Sequence, residues 1–132
     1  QLQRSQSASD LTLVAKRHAH DYHVPTNCME GLFLSKRNGA KVYQRIWLPE
    51  GRARCILFIS HGFGEHCGRY DAQAAEFNKR GFLVVAHDHQ GHGRSGGPRA
   101  DISDYNIYVS DIQQSIKLII KTYSAMSVYG WG

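Results

Sequence analysis

The sequence predicts an α/β domain, an antiparallel hairpin followed by parallel strands with crossover helices. Three observations carry this. Asn38-Gly39 stands between two strand-like segments, the runs Ile56–Ile59 and Phe82–Ala86 are continuously apolar, and each run is followed by a loop and then a helical pattern. A chain of 132 residues, 42% hydrophobic and 20% charged, has the composition of one globular domain. Its longest apolar runs fall far short of the roughly 18 residues that a membrane-spanning helix needs.

Residues 1–28 alternate Ser, Gln, His and basic residues around one apolar patch, Leu11 to Ala15, and lead to Pro25-Thr26-Asn27. They read as a poorly ordered basic lead-in to a domain over residues 29–132. Gly31–Ser35 and Lys41–Leu48 are rich in Leu, Val, Ile and aromatics, and Asn38-Gly39 between them gives a hairpin. Pro49-Glu50-Gly51 closes that unit, and Cys55–Ser60 follows as a strand buried on both faces. Asp71–Arg80 predicts a short amphipathic helix using Ala74, Ala75 and Phe77, with Gly81 placed for a left-handed cap. Phe82–Ala86 is the next buried strand. Ile107–Tyr123 sets Val109, Ile112, Ile116, Ile119, Ile120 and Tyr123 at three- and four-residue spacings, the stripe of a helix lying on a sheet. Ser127–Trp131 is a last strand. Open α/β sheets that carry catalysis generally need about 200 residues in one domain, so this domain is expected to be incomplete. A first residue of Gln1 with no signal-peptide pattern behind it likewise places the expected start upstream.

Cys28, Cys55 and Cys67 are odd in number and form no C-x-x-C pair, which argues against a disulfide framework and a cysteine zinc site and favours a reducing, cytoplasmic compartment. The net charge of +5 is localised: residues 1–54 hold nine Lys/Arg against four Asp/Glu, whereas residues 55–132 hold seven of each. Such a basic front suits peripheral contact with an anionic membrane. It lacks the aromatic interleaving of a nucleic-acid surface.

The chemistry-bearing segments lie between buried strands and helices. In His61-Gly62-Phe63-Gly64-Glu65-His66-Cys67-Gly68-Arg69-Tyr70, three glycines leave backbone N–H groups available to developing charge on a substrate oxygen. One such oxyanion donor is worth about 3–4 kcal/mol. Neither G-x-G-x-x-G nor a Gly-Lys-Ser/Thr ending is present, which argues against a phosphate cradle. Gly93-Arg94-Ser95-Gly96-Gly97 satisfies the nucleophile-elbow pattern G-x-S-x-G, but an elbow serine sits on a sharp turn between strand and helix. Ser95 lies well past its strand and runs into Gly-Gly-Pro. It is expected to brace the loop beside Asp88 and Gly91.

The pair of strings HGFGEHCGRY and AHDHQGHGRSGG, separated by one strand and helix, resembles the monoacylglycerol lipase branch of the α/β-hydrolases over roughly Met29 to Gly132. The resemblance implies that Phe63, where the family more often has a small residue, gives one oxyanion N–H. It implies that Glu65 and Arg69 lie near the polar glycerol end of the pocket, with His61, Gly62, Gly64 and His66 shaping the loop and Asp88, Gly91, Gly93 and Ser95 belonging to the second structural motif. Family members continue Gly-His-Ser-Met-Gly-Gly where this chain has Gly132, so Gly132 is expected to start the elbow, with the nucleophile two positions beyond it and the acid and base later still. The implied activity is hydrolysis of a lipid carboxylic ester, a monoacylglycerol foremost or a lysophospholipid, through an acyl-enzyme and without a cofactor. The chain alone would be inactive.

Two rivals use the same residues. His87-Asp88-His89-Gln90-Gly91-His92 approximates the H-x-H-x-D-H ligand string of dizinc hydrolases, but Gly91 stands where an aspartate ligand is needed, so no metal is expected on His87, His89 and His92. Alternatively the chain is a truncated, non-catalytic product that binds an acyl ligand or a partner. The coding sequence past Gly132 separates that reading from the enzyme.

Overall fold

Two strands built on continuous apolar runs organise the architecture, because a strand without a polar face must be covered on both sides. The computed structural model describes residues 12–13, 24–123 and 126–132. The expected lead-in over residues 1–28 lies mostly outside the described residues. The strands are β1 (Thr12–Leu13), β2 (Cys28–Leu34), β3 (Lys41–Trp47), β4 (Cys55–Ile59), β5 (Phe82–His87) and β6 (Val128–Trp131); the helices are α1 (Asp71–Lys79), preceded by one 3₁₀ turn at Cys67–Tyr70, and α2 (Tyr105–Tyr123). Among the described residues the strands form one sheet in the order β1-β2-β3-β5-β4-β6.

The hairpin forms about the expected turn. Gly39 has φ +74°, Ser35 N–H donates to Ala40 C=O at 2.8 Å, and Ala40 N–H donates to the Asn38 side chain at 3.1 Å. Strand β2 starts three residues earlier than the sequence suggested, because Cys28, Met29 and Glu30 find partners in Trp47, Ile46 and Arg45. Strand β3 runs antiparallel to β5, whereas β4 is parallel to both β5 and β6.

Strand alternation divides the core between two faces. Ile56, Phe58, Leu83 and Val85 pack with Ile119 and Tyr123 of α2, while Leu57, Ile59, Val84 and Ala86 pack with Ala74 of α1. The two crossovers therefore cover opposite faces, and the chain steps from β4 to β5 on one side and to β6 on the other. A reversal of this kind opens a crevice at the carboxyl ends of the parallel strands.

Both helices pack by their predicted apolar faces, with Ala74 and Phe77 of α1 and Ile112, Ile116, Ile119, Ile120 and Tyr123 of α2 on the core, and each departs at one predicted position. Helix α1 ends at Lys79, and Gly81 at φ +85° caps it through its N–H to Asn78 C=O, as its sequence suggests. Ala75 is exposed, not buried, since alanine carries no information about which side faces the core. On α2 the buried face holds Asp111, Gln114, Ser115, Leu118, Ile119, Thr122 and Tyr123, whereas Val109 is 45% exposed. This polar face is matched by its neighbours: Asp111 accepts from Ser35 Oγ (2.6 Å) and Gln90 Nε2 (2.8 Å), Gln114 donates to Leu34 C=O (2.7 Å), and Ser115 Oγ donates to Gln44 Oε1 (2.9 Å).

Candidate active site

The loop after β4 leaves the sheet at Ser60 and folds on itself within five residues. Its first histidine is locked as one neutral tautomer. His61 Nε2 accepts the His89 N–H at 2.9 Å, so Nδ1 carries the proton and donates to Gly62 C=O at 2.7 Å. Gly62 N–H donates to Glu65 Oε2 at 2.8 Å, and Glu65 N–H returns to Gly62 C=O at 3.1 Å. Gly64 takes φ +76°. Phe63, at the crest, is 69% exposed, and its own N–H is engaged by no group among the described residues. His66 follows at the start of the 3₁₀ turn, where its carbonyl accepts Arg69 N–H at 3.2 Å.

The loop after β5 is tied to the first by Asp88, which is 2% exposed. One carboxylate oxygen accepts Cys67 N–H at 2.7 Å and the other accepts Arg94 N–H at 2.8 Å. Gly93 leaves the room this requires, since a Cβ there would stand 2.1 Å from the Asp88 carboxylate. Gly91, at φ +79°, is closed in likewise, since a Cβ there would stand 2.4 Å from the Pro98 carbonyl oxygen. Ser95 is 1% exposed; its Oγ donates to Asp88 C=O and accepts Tyr43 N–H at 2.9 Å. Its Oγ is thus engaged by main chain as both donor and acceptor.

Strand β6 completes the group. Ser60 N–H donates to Trp131 C=O at 2.9 Å, and the side-chain position of Gly132 lies 3.9 Å from Ser60 Cβ. The two loops and the first turns of α2 wall a cavity of about 320 Å³ lined by Ser60, His61, Gly62, Phe63, His89, His92, Ile102, Tyr105, Tyr108, Val109 and Ile112. Glu65 and Arg69, expected at its polar end, are not part of the wall. Glu65 faces the loop, and Arg69 Nη1 stands 3.7 Å from Glu65 Oε1.

Three further described histidines, His87, His89 and His92, are sequestered. His87 is fully buried, edge-on to Phe33 (6.0 Å) and Phe58 (5.4 Å). His89 stacks on Tyr108 at 4.9 Å and bonds Ser60 Oγ through Nε2 at 3.0 Å; His92 Nδ1 bonds Gln90 C=O at 3.2 Å. Among the described residues no three His, Cys, Asp or Glu side chains are grouped to hold a metal ion. Cys28, Cys55 and Cys67 are free thiols.

Burial disfavours the charged imidazoles: His89 is lowered to about 4, His61 is lowered, and His87 lies well below 6.5. A depressed value means that the unfolded chain binds the proton first. The stabilisation is therefore complete above pH 6.5 and is lost as pH falls through the folded values. For His89 the full extent is about 3 kcal/mol. Asp111 has the opposite sign, because burial raises its carboxyl and its contribution is lost as pH rises. With three imidazoles against one carboxyl, the urea midpoint should fall between pH 6.5 and 4. A flat or rising midpoint over that range would contradict the buried neutral histidines.

The profile of the family described as serine aminopeptidase, S33, matches residues 51–132, more than half of the sequence. The chain belongs to that family. It lies on the monoacylglycerol lipase branch of the α/β-hydrolase fold, being 41% identical over 96 residues to the monoglyceride lipase of Rattus norvegicus, a match covering 73% of this chain and 32% of that protein. The monoacylglycerol lipase of Mycolicibacterium smegmatis is 40% identical over 75 residues, 57% of this chain and 27% of that one. A solved carboxyl esterase from Bacillus coagulans superposes with a TM-score of 0.70 at 28% identity, covering 82% of this chain and 36% of the esterase. The chain thus spans about a third of the length of the monoglyceride lipases it matches.

Within this S33 α/β-hydrolase, Tyr108 and Ser60 are cavity residues that sequence reasoning missed. Tyr108 adjoins Val109 of the apolar stripe, and its hydroxyl reaches Gln90 C=O at 2.9 Å. Only its aromatic character beside that stripe signals it. No helix among the described residues is long and apolar enough to cross a membrane.

Proposed function

We propose that the intact protein hydrolyses carboxylic esters of lipids, monoacylglycerols foremost, through an acyl-serine intermediate, using no cofactor. The observation that carries this reading is the uncommitted Phe63 N–H, set on a pinned peptide at the carboxyl end of β4, with Gly132 arriving alongside at Ser60. In this reading Gly132 opens the elbow. A serine two positions on attacks the ester carbonyl, and a histidine and a carboxylate from later in the chain take and orient its proton. Phe63 N–H and the N–H following that serine then hold the oxyanion. The apolar wall from Phe63 to Ile112 accepts part of the acyl chain, and Arg69 serves the polar head. Ser95, Asp88, Gly91 and Gly93 brace the second loop. Residues 29–132 form the front part of the hydrolase domain, and the basic residues preceding it favour peripheral contact with an anionic lipid surface in a reducing compartment.

The oxyanion assignment is tested by comparing a variant that loses both the donor and the ring with one that loses the ring alone. In the intact protein, Phe63→Pro should lower kcat by about 10²–10³-fold, whereas Phe63→Ala, which keeps the N–H, should stay within a few-fold of wild type. Equal losses in the two variants would place the aromatic ring, not the N–H, at the centre of the effect.

A further inference from the structure

We infer that Glu65 is a positioning residue for the oxyanion donor, acting on the main chain around Gly62 and not on the substrate; this rests on the Phe63 assignment above. Among the described residues no peptide bond is cis, so the Phe63 N–H points opposite to the Gly62 carbonyl of the same peptide plane. Whatever holds that carbonyl therefore aims the N–H. Two donors hold it, His61 Nδ1 at 2.7 Å and Glu65 N–H at 3.1 Å. The preceding peptide is fixed from the other side, where Gly62 N–H meets Glu65 Oε2 at 2.8 Å. Glu65 thus grips both peptides flanking Gly62, one with its main chain and one with its carboxylate. Glycine is the residue whose backbone would otherwise turn most freely. The carboxylate even fills the space of the missing side chain, since a Cβ on Gly62 would lie 2.4 Å from Oε2.

The second carboxylate oxygen is also turned to protein. Oε1 accepts Tyr70 Oη–H at 3.5 Å and lies 3.7 Å from Arg69 Nη1. Glu65 takes no part in the cavity wall, although Gly62 and Phe63 on either side of the peptide it holds both do. A carboxylate so placed has its directional contacts within the loop. Its effect on turnover is then exerted through the aim of the Phe63 N–H, and it is independent of the alcohol portion of the ester.

That independence gives the test. In the intact protein, wild type, Glu65→Ala, Glu65→Asp and Glu65→Gln are compared on a monoacylglycerol and on p-nitrophenyl butyrate, which has no diol, with active enzyme counted by fluorophosphonate titration. Glu65→Ala and the too-short Glu65→Asp should lose about 10–100-fold in kcat on both substrates with KM nearly unchanged, less than deletion of a donor costs. Glu65→Gln should keep most of the activity, because its amide oxygen still accepts Gly62 N–H. A loss confined to the monoacylglycerol, or expressed in KM, would overturn the inference in favour of a contact with the glycerol. Unchanged kcat on both substrates would overturn it as well. A wild-type protein that turns over neither ester would instead remove the hydrolase reading on which it stands.

Discussion

In the intact protein, replacing the serine at the second position beyond Gly132 with alanine should lower kcat by about 10⁶-fold, the scale seen when a triad nucleophile is deleted. Ser95→Ala should keep most of the activity, and residues 1–132 alone should show no turnover of p-nitrophenyl butyrate above background. The contrast follows from where the two serines stand. Ser95 Oγ is 1% exposed and caught between Asp88 C=O and Tyr43 N–H, with no histidine nitrogen among its partners. An attacking oxygen needs a base within hydrogen-bond reach and an open path to a carbonyl carbon. The end of β6, by contrast, lies against Ser60, three residues before the Phe63 donor. Saturable turnover by the 132 residues, abolished by Ser95→Ala, would refute this placement.

The largest stability effect is expected away from the crevice. Arg45 lies in the middle of the sheet with its side chain 2% exposed, and Nη1 meets both oxygens of Asp71 at 2.9 and 3.1 Å. Trp47 Nε1 donates to the same carboxylate at 2.9 Å, and Arg45 Nε donates to Tyr43 Oη at 3.0 Å. Tyr43 Oη in turn donates to Glu30 at 2.7 Å, and Glu30 is paired with Arg94 at 2.6 Å. Asp71→Ala would leave a buried guanidinium without its counter-charge and an indole N–H without its acceptor. Removing one partner of a buried pair costs about 3–5 kcal/mol, far more than an exposed pair is worth. Urea unfolding of Asp71→Ala should show a loss of that size, with Asp71→Asn intermediate. A loss below about 1 kcal/mol would mean that water reaches Arg45 freely.

The sequence announces elements whose signal is local. Asn38-Gly39, the apolar runs of β4 and β5, and Gly81 behind α1 each state their structure within a few residues, and each forms where expected. The Arg45–Asp71 pair is different. Its members are 26 residues apart, and an arginine between Gln44 and Ile46 reads as the solvent face of a strand. The face of α2 was hidden for a related reason. Asp111, Gln114 and Ser115 are buried only because the hairpin and the second loop present Ser35, Leu34, Gln90 and Gln44 to them, so the apolar stripe, which does meet the core, gave no sign of this polar flank beside it. In the crevice, the two glycine-rich loops were recognisable as strings, but the bonds that aim Phe63 N–H were not. A string shows that Glu65 is present. It does not show that both carboxylate oxygens turn back to the loop.

The central claim is that these loops serve a nucleophile lying just past Gly132. The most direct measurement is to label the intact protein with a fluorophosphonate, digest it and map the modified residue by mass spectrometry. The account predicts one labelled serine, two positions beyond Gly132, in a peptide that begins within β6. Label on Ser95, or no labelled serine in an ester-hydrolysing protein, would contradict it.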